Sequence, residues 1–168
     1  MLEQLIDKHQ SSLLKYASFM LGSLPDAEDV VQETFVKFYR QSDSLLPESK
    51  AKAYLFRMVN NACIDQIRTN KLKMTVSLNS IHNLPDQQVN GYKKKKAFEN
   101  EFRRITKLLD KIPSEQSEVI RMRTIGDLSF IEIAQSLQIP VSTVKSRFKY
   151  GINKLKTSTK KEVYNEMQ

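Results

Sequence analysis

The segment from Asn70 to Lys96 constrains the fold more than any other feature, because it interrupts a helical pattern that runs through the rest of the chain. Its sequence, NKLKMTVSLNSIHNLPDQQVNGYKKKK, is polar, contains Pro85 and Gly91, and has no sustained apolar periodicity. Such composition is typical of a linker. The 168 residues of the chain are therefore expected to form two small modules, one on each side of this segment.

Apolar residues recur with helical spacing on both sides of the linker. Before it, we predict helices over residues 5–21, from Asp26 onward and from about 51 to 68, with Gly22 ending the first helix and a polar loop at 41–52. After it, we predict helices over 98–109, from Ser114 onward and twice within 128–156. No segment has the alternation that predicts a strand. The sequence thus predicts an all-α fold, with two small helical bundles joined by a flexible linker.

The last part of the chain has the pattern of a helix-turn-helix. In LSFIEIAQSLQIPVSTVKSRFKYGINKLK, two short apolar-periodic segments flank a turn at 138–140, and the small residue Ala134 lies where the two helices would cross. Gln138 occupies a turn position where glycine is usual, and Gly151 is expected to weaken the second helix by about 1 kcal/mol relative to alanine. The first helix is marked by Leu128, Ile131, Ile133, Ala134 and Leu137, and the second by Val144, Phe148, Ile152 and Leu155.

The second of these helices concentrates hydroxyl and basic side chains on its predicted outward face. Such side chains suit phosphates and base edges, and an α-helix fits the major groove of DNA. The alternative is a helical hairpin that does not bind DNA and whose lysines only contact water. However, the first helix carries Glu132 as its only charge, so the enrichment in basic side chains is specific to the second helix. We predict that DNA is bound by Ser142, Thr143, Lys145, Ser146, Arg147, Lys149 and Lys154.

Charge supports a polyanionic partner. The net charge is +8, yet the first 60 residues carry seven Lys and Arg against eight Asp and Glu, and the rest of the chain carries twenty against eleven. A basic excess confined to the later two thirds favours nucleic acid as the partner.

No catalytic set is evident in the sequence. Cys63 is the single cysteine, which excludes an internal disulfide and a cysteine-cluster zinc site, and we predict that it is a small core residue. His9 and His82 have no neighbours suited to metal binding or nucleophile activation, and glycine-rich phosphate loops are missing. We therefore expect neither enzymatic activity nor a metal, a cofactor or a small-molecule substrate.

The sequence also predicts a cytoplasmic protein. No apolar run is long enough to span a membrane, and the N-terminal MLEQLIDKHQ has charges where a signal peptide needs an apolar stretch.

Four motifs occur in the order seen in bacterial RNA polymerase sigma-70 family factors, and the short, two-module layout resembles the extracytoplasmic-function (ECF) group. The resemblance covers nearly the whole chain apart from the linker and about the last ten residues. It implies a sigma region 2 domain at 1–72, a linker at 73–96 and a sigma region 4 domain at 97–160. The motifs are PDAEDVVQETFVKFYR, AYLFRMVNNACIDQIR, IPSEQSEVIRMR and STVKSRFKYGINKLK.

The resemblance implies that the first module binds core RNA polymerase and the minus-10 promoter element, and that the last module reads the minus-35 element. On the acidic helix, Asp29, Gln32 and Glu33 would bind the clamp coiled coil of the largest polymerase subunit. Asp26 is expected to cap this helix instead, and Glu33 can also form an i,i+4 pair with Lys37.

The third helix is similar to the part of the family that opens the promoter and holds one strand, where aromatic faces and basic groups capture unstacked bases. Phe56 fits a core position as well as a base-stacking one. Asp65 is expected to brace Arg68 or a neighbouring residue rather than to touch DNA, and Lys93–Lys96 are expected to be a solvated run. The residues implied in minus-10 binding and melting are Tyr54, Arg57, Asn61, Arg68, Lys71 and Lys73.

The implied partners are core RNA polymerase, promoter DNA and, by family alone, an anti-sigma factor. Two other hypotheses stay open. The TVKSR text also resembles LuxR-type output domains, which would make the chain a stand-alone DNA-binding regulator, although residues 1–70 show no βαβ receiver pattern. Alternatively, both bundles could serve only as protein-binding surfaces.

Overall fold

The computed structural model describes residues 2–41, 47–76 and 92–166, with side chains described for 3–41, 47, 49–74 and 100–160. Within these ranges every regular element is a helix, which confirms the predicted all-α fold. The seven helices are α1 (Leu2–Leu21), α2 (Leu24–Gln41), α3 (Glu48–Val76), α4 (Tyr92–Leu109), α5 (Ser114–Thr124), α6 (Phe130–Leu137) and α7 (Val141–Glu166).

The turn between α1 and α2 follows the prediction at one residue and departs from it at another. Gly22 has a φ of 66°, the left-handed conformation expected where a helix ends on glycine. The prediction that Asp26 caps α2 is wrong, because the helix begins two residues earlier. The Ser23 hydroxyl accepts a 3.4 Å hydrogen bond from the Asp26 amide, so Ser23 is the capping residue. Pro25 is tolerated in the first turn, where its missing N–H has no intrahelical acceptor.

The helices on either side of the linker are longer than expected. Pro47 accepts hydrogen bonds from the amides of Lys50 and Ala51, so residues 48–52, predicted as loop, form the first turn of α3. The proline lies just ahead of the helix, where it breaks no helical hydrogen bond. Helix also occupies 73–76 and 92–96. Residues 42–46 and 77–91 and the side chains of Lys93–Lys96 lie outside the described residues.

The helix-turn-helix forms as predicted from α6 and α7. A capping box begins α6: the Ser129 hydroxyl accepts from the Glu132 amide, and the Glu132 carboxylate accepts from the Ser129 amide at 2.7 Å. Gln138 ends α6 with a φ of 57°, so it adopts the left-handed conformation without a glycine. Ile131, expected on the buried face of α6, is exposed instead.

Gly151 has a packing role that the sequence did not indicate. It is buried in α7, and a Cβ placed there would lie 2.7 Å from Ile120 Cδ1 and 3.1 Å from Gln116 Cβ. The missing side chain lets α7 approach α5 closely. The expectation that this glycine only weakens the helix was therefore incomplete.

The two modules pack against each other in this structure. One apolar cluster contains Leu13 and Val59 from the first module together with Met122 and Ile133 from the second. A Cβ at Gly126 would lie 2.9 Å from the Phe56 ring, so the backbone after α5 rests on α3.

Polar contacts cross the same boundary. Tyr16 donates a 2.8 Å hydrogen bond to Asn60 Oδ1, and Asn60 Nδ2 donates a 2.7 Å hydrogen bond to Glu118 Oε1. Burial strongly raises the pKa of the Tyr16 hydroxyl, which therefore stays protonated as a donor. Nearer the start of α3, Lys52 pairs with Glu132 at 3.1 Å.

Candidate nucleic-acid interface and docking surface

The outward face of α7 is a row of polar and basic side chains. Ser142, Lys145, Ser146 and Lys149 are all exposed, and their spacing of three and four residues places them on one side of the helix. The opposite side packs inward through Val144, which is fully buried. Hydroxyl and ammonium groups on one exposed side of a helix are suited to DNA phosphates and base edges.

Three predicted residues lie on the flank of α7 rather than on this outward face. The spacing places Thr143, Arg147 and Lys154 on the side that faces α5; the first two are half-buried and Lys154 is exposed. Arg147 Nη2 lies 3.3 Å from Glu115 Oε2, and the Arg147 side chain is only 26% exposed against 67% for Glu115. Sequence reasoning missed Glu115, because no local pattern links the first turn of α5 to a residue of α7.

Contacts around α6 fix the angle at which α7 is presented. Phe130 and Phe148 meet edge to face with ring centroids 5.3 Å apart, and the Arg123 guanidinium lies 5.2 Å from the Phe130 ring centroid. Arg123 also donates a 2.8 Å hydrogen bond to the Leu128 carbonyl. These contacts support the exposed face of α7 from behind.

On α3, the predicted minus-10 residues fall into two groups. Tyr54, Arg57, Asn61 and Arg68 share one face by their helical spacing, whereas Lys71 and Lys73 are exposed further along the helix.

The aromatic and charged residues on α3 differ in how deeply they are buried and in the residues they contact. Tyr54 is half-buried, its ring lies 5.9 Å from that of Phe38, and its hydroxyl donates to Gln41 at 3.3 Å. Phe56 is fully buried, so of its two open interpretations the core position is the one observed. Arg68 lies 3.9 Å from Asp65, which matches the expected brace.

The acidic face of α2 is open to solvent. Asp29, Gln32 and Glu33 are exposed, and Glu33 forms the expected i,i+4 pair with Lys37 at 2.8 Å. Because both partners of that pair are more than half exposed, it holds Glu33 only weakly. Val36 and Tyr39 are exposed on the same helix and add apolar area that sequence reasoning did not single out.

Within the described part of the chain, no group of three or more His, Cys, Asp or Glu side chains is placed to hold a metal ion. Cys63 is fully buried, as predicted, and burial raises its thiol pKa to about 12. The helices that the structure describes include none long and apolar enough to cross a membrane.

These observations define a two-module helical protein with a helix-turn-helix in its second module. The profile of Sigma-70 region 2 matches residues 5–72, and that of Sigma-70 region 4 matches residues 108–157. The chain is 30% identical over 161 residues to the ECF RNA polymerase sigma factor SigW of Bacillus subtilis. The alignment covers 88% of this chain and 82% of the relative. The chain belongs to the sigma-70 family, in its ECF group.

Another relative agrees with this assignment, and two solved structures share the fold. ECF RNA polymerase sigma factor SigL of Mycobacterium tuberculosis is 29% identical, with 93% of this chain and 87% of the relative covered. The fold is similar to that of CnrH in complex with the cytosolic domain of CnrY, at a TM-score of 0.69 and 25% identity over 95% of this chain and 87% of that one. It is also similar to the sigma factor RpoE of Bartonella quintana in complex with the anti-sigma factor NepR, at a TM-score of 0.65 and 22% identity over 94% and 96%.

Proposed function

We propose that this protein is a sigma factor that binds core RNA polymerase and directs promoter-specific initiation of transcription. The observation that carries the proposal is the exposed face of Ser142, Lys145, Ser146 and Lys149 on the second helix of a helix-turn-helix, in a chain that belongs to the sigma-70 family. The minus-35 element is the ligand of this face, to which Thr143, Arg147 and Lys154 contribute from its flank.

The first module supplies the second promoter contact. The face of α3 with Tyr54, Arg57, Asn61 and Arg68 binds the minus-10 element and its opened strand, and Lys71 and Lys73 contact backbone phosphates. Support comes from Tyr54, which has its ring at the surface boundary and its hydroxyl tethered to the end of α2. A stacking platform for unpaired bases needs such a partly exposed and oriented aromatic ring.

The acidic face of α2 docks on the polymerase. Asp29, Gln32 and Glu33 are exposed in an acidic first half of the helix and bind basic groups of the clamp coiled coil. Opposite charges across such an interface favour orientation and rate of association more than affinity.

The remaining assignments follow from this function. Sigma factors are not catalytic enzymes, and this chain leaves polymerisation to its partner and acts in the cytoplasm without a cofactor. Its region 2 domain spans 1–72 and its region 4 domain 97–160. Because CnrH and RpoE were each solved with a protein that binds them, an anti-sigma factor is the expected regulatory partner of this chain as well.

The test is co-purification with bacterial core RNA polymerase, followed by run-off transcription from genomic fragments. We expect stable binding and discrete start sites, whose alignment identifies both promoter elements. Glu33→Lys should reduce core binding, whereas Glu101→Lys, the same charge change on α4, should not. Tight sequence-specific DNA binding by the chain alone, without core binding, would instead indicate a stand-alone regulator. Core binding without promoter selection would indicate a purely protein-binding role.

A further inference from the structure

The flank of α7 contains an ion pair that joins α7 to α5. Arg147 lies three residues after the buried Val144 and four before the buried Gly151, so its side chain leaves α7 at the edge of the packed face. There its Nη2 meets Glu115 Oε2 at 3.3 Å, from the first turn of α5. The guanidinium is thus held between the core and the exposed row of Ser142, Lys145, Ser146 and Lys149.

The two partners differ in how much water they contact. The Arg147 side chain is 26% exposed and therefore mostly fixed by packing, whereas Glu115 is 67% exposed. The carboxylate is therefore the more solvent-exposed partner of a pair that lies on the flank of α7, beside the exposed row that binds DNA in the proposed function. A negative charge in that position repels DNA phosphates and so lowers the affinity for DNA. The presence of Glu115 there therefore needs a reason other than affinity.

We propose that Glu115 is a specificity-determining residue. It positions Arg147 to contact base edges and prevents the Arg147 guanidinium from pairing with phosphates. An arginine has five N–H donors in a rigid fork, so one contact to Glu115 leaves donors for a base edge. Without Glu115, a guanidinium at the edge of the interface pairs with the nearest phosphate, which carries no sequence information. A repulsive element of this kind lowers the affinity for wrong sequences more than for the right one.

This inference rests on the proposed function, and the test uses the holoenzyme formed from the full chain and core polymerase. The probes are a promoter fragment found by run-off transcription and the same fragment with its upstream element scrambled. For Glu115→Gln, we expect the affinity ratio between the two fragments to fall roughly tenfold, within the range of one base contact. Binding to the scrambled fragment should strengthen, and its salt slope should steepen by about one, because one more phosphate is neutralised.

Three further variants separate positioning from charge and from stability. Glu115→Asp keeps the charge but is too short for the pair, so the ratio should fall while binding to the scrambled fragment stays near wild type. Glu101→Gln removes the same charge from the exposed Glu101–Arg104 pair on α4 and should change neither quantity. In an Arg147→Ala background, Glu115→Gln should no longer alter the ratio.

The outcomes are distinct. If wild-type holoenzyme does not discriminate between the fragments, upstream recognition fails and this inference fails with it. If wild type discriminates and Glu115→Gln discriminates equally well, the inference alone is overturned. If Glu115→Gln lost affinity equally for both fragments and had a lower thermal midpoint, the Arg147–Glu115 pair would serve folding, and the inference would also be overturned.

Discussion

The side-chain amide of Asn60 donates a 2.7 Å hydrogen bond to the carboxylate of Glu118, and this bond joins helix α3 of the first module to α5 of the second. Asn60 is 2% exposed and also accepts from the Tyr16 hydroxyl, so its amide is used on both sides. Buried polar groups are costly when one partner is removed, because the other loses both the bond and its hydration. The bond therefore marks a contact on which the packing of the two modules depends.

Asn60→Ala should lower the free energy of unfolding by about 1–3 kcal/mol, since it leaves Tyr16 and Glu118 without this partner. The measurement is urea denaturation followed by circular dichroism. Asn61→Ala is the matched control, because Asn61 is the exposed neighbour on the same helix, and its effect should stay within about 0.5 kcal/mol. Equal effects of the two substitutions would show that the Asn60 bonds contribute nothing specific.

Gly151→Ala should destabilise the second module even though alanine is the better helix former by about 1 kcal/mol. The added Cβ would lie 2.7 Å from Ile120 Cδ1, and overpacking of this kind costs about 1–3 kcal/mol. Ile120→Val removes that terminal carbon, so the double variant should regain part of the lost stability. A thermal midpoint for Gly151→Ala above that of wild type would contradict the close approach of α5 and α7.

The Glu132 carboxylate, held by the Ser129 amide and by Lys52, should make stability depend on pH. Partial burial acts to raise the pKa of the Glu132 carboxyl, but the hydrogen bonds from the Ser129 amide and from Lys52 outweigh it and lower the pKa below the ordinary 4.5. A lowered pKa in the folded state means that the ionised carboxylate stabilises the fold above pH 4.5 and that this contribution is lost as the pH falls through the folded value.

Glu132→Gln should accordingly have a lower thermal midpoint than wild type at pH 7, and the difference should shrink as the pH is taken below 4.5. Glu101→Gln, which changes an exposed carboxylate of α4, should show no comparable trend. A difference that stays constant over this pH range would mean that the charge of Glu132 is unimportant.

Promoter binding should require the two modules to separate. Elements centred about 25 base pairs apart lie about 85 Å apart on B-DNA, whereas a folded chain of 168 residues has a radius of gyration of only about 15 Å. Fully extended, the fifteen residues 77–91 would span about 50 Å, at about 3.3–3.6 Å per residue, so the chain length permits the modules to separate.

A covalent link between the modules should therefore block initiation. Cysteines introduced by Lys52→Cys and Glu132→Cys can be joined by a short bismaleimide, while the buried, high-pKa thiol of Cys63 reacts slowly. We expect loss of run-off transcription after cross-linking and normal activity of the same variant before it. Full activity of the cross-linked protein would show that the packed arrangement is already competent.

Much of the fold and of the candidate site could be predicted from local pattern. The turn at Gly22, the turn at 138–140 and the Glu33–Lys37 pair all depend on residues within a turn or two of each other. The errors at helix boundaries were also local, whereas the exposed Ile131 and the packing role of Gly151 were missed because they depend on contacts between helices. The cap of α2 is Ser23 rather than Asp26, and α3 begins directly after Pro47, because a proline next to a helix start permits either a loop or a first turn.

By itself, the sequence determined an all-helical chain in two modules, a helix-turn-helix and the polar face of α7, since apolar periodicity specifies which side of a helix is buried. Only the tertiary structure decided what each buried side meets. The Asn60–Glu118 bond, the approach of Gly151 to Ile120 and the Arg147–Glu115 pair each join different helices. The same periodicity is compatible with many helix pairings, and the choice among them depends on side-chain shape and charge across contacts distant in sequence.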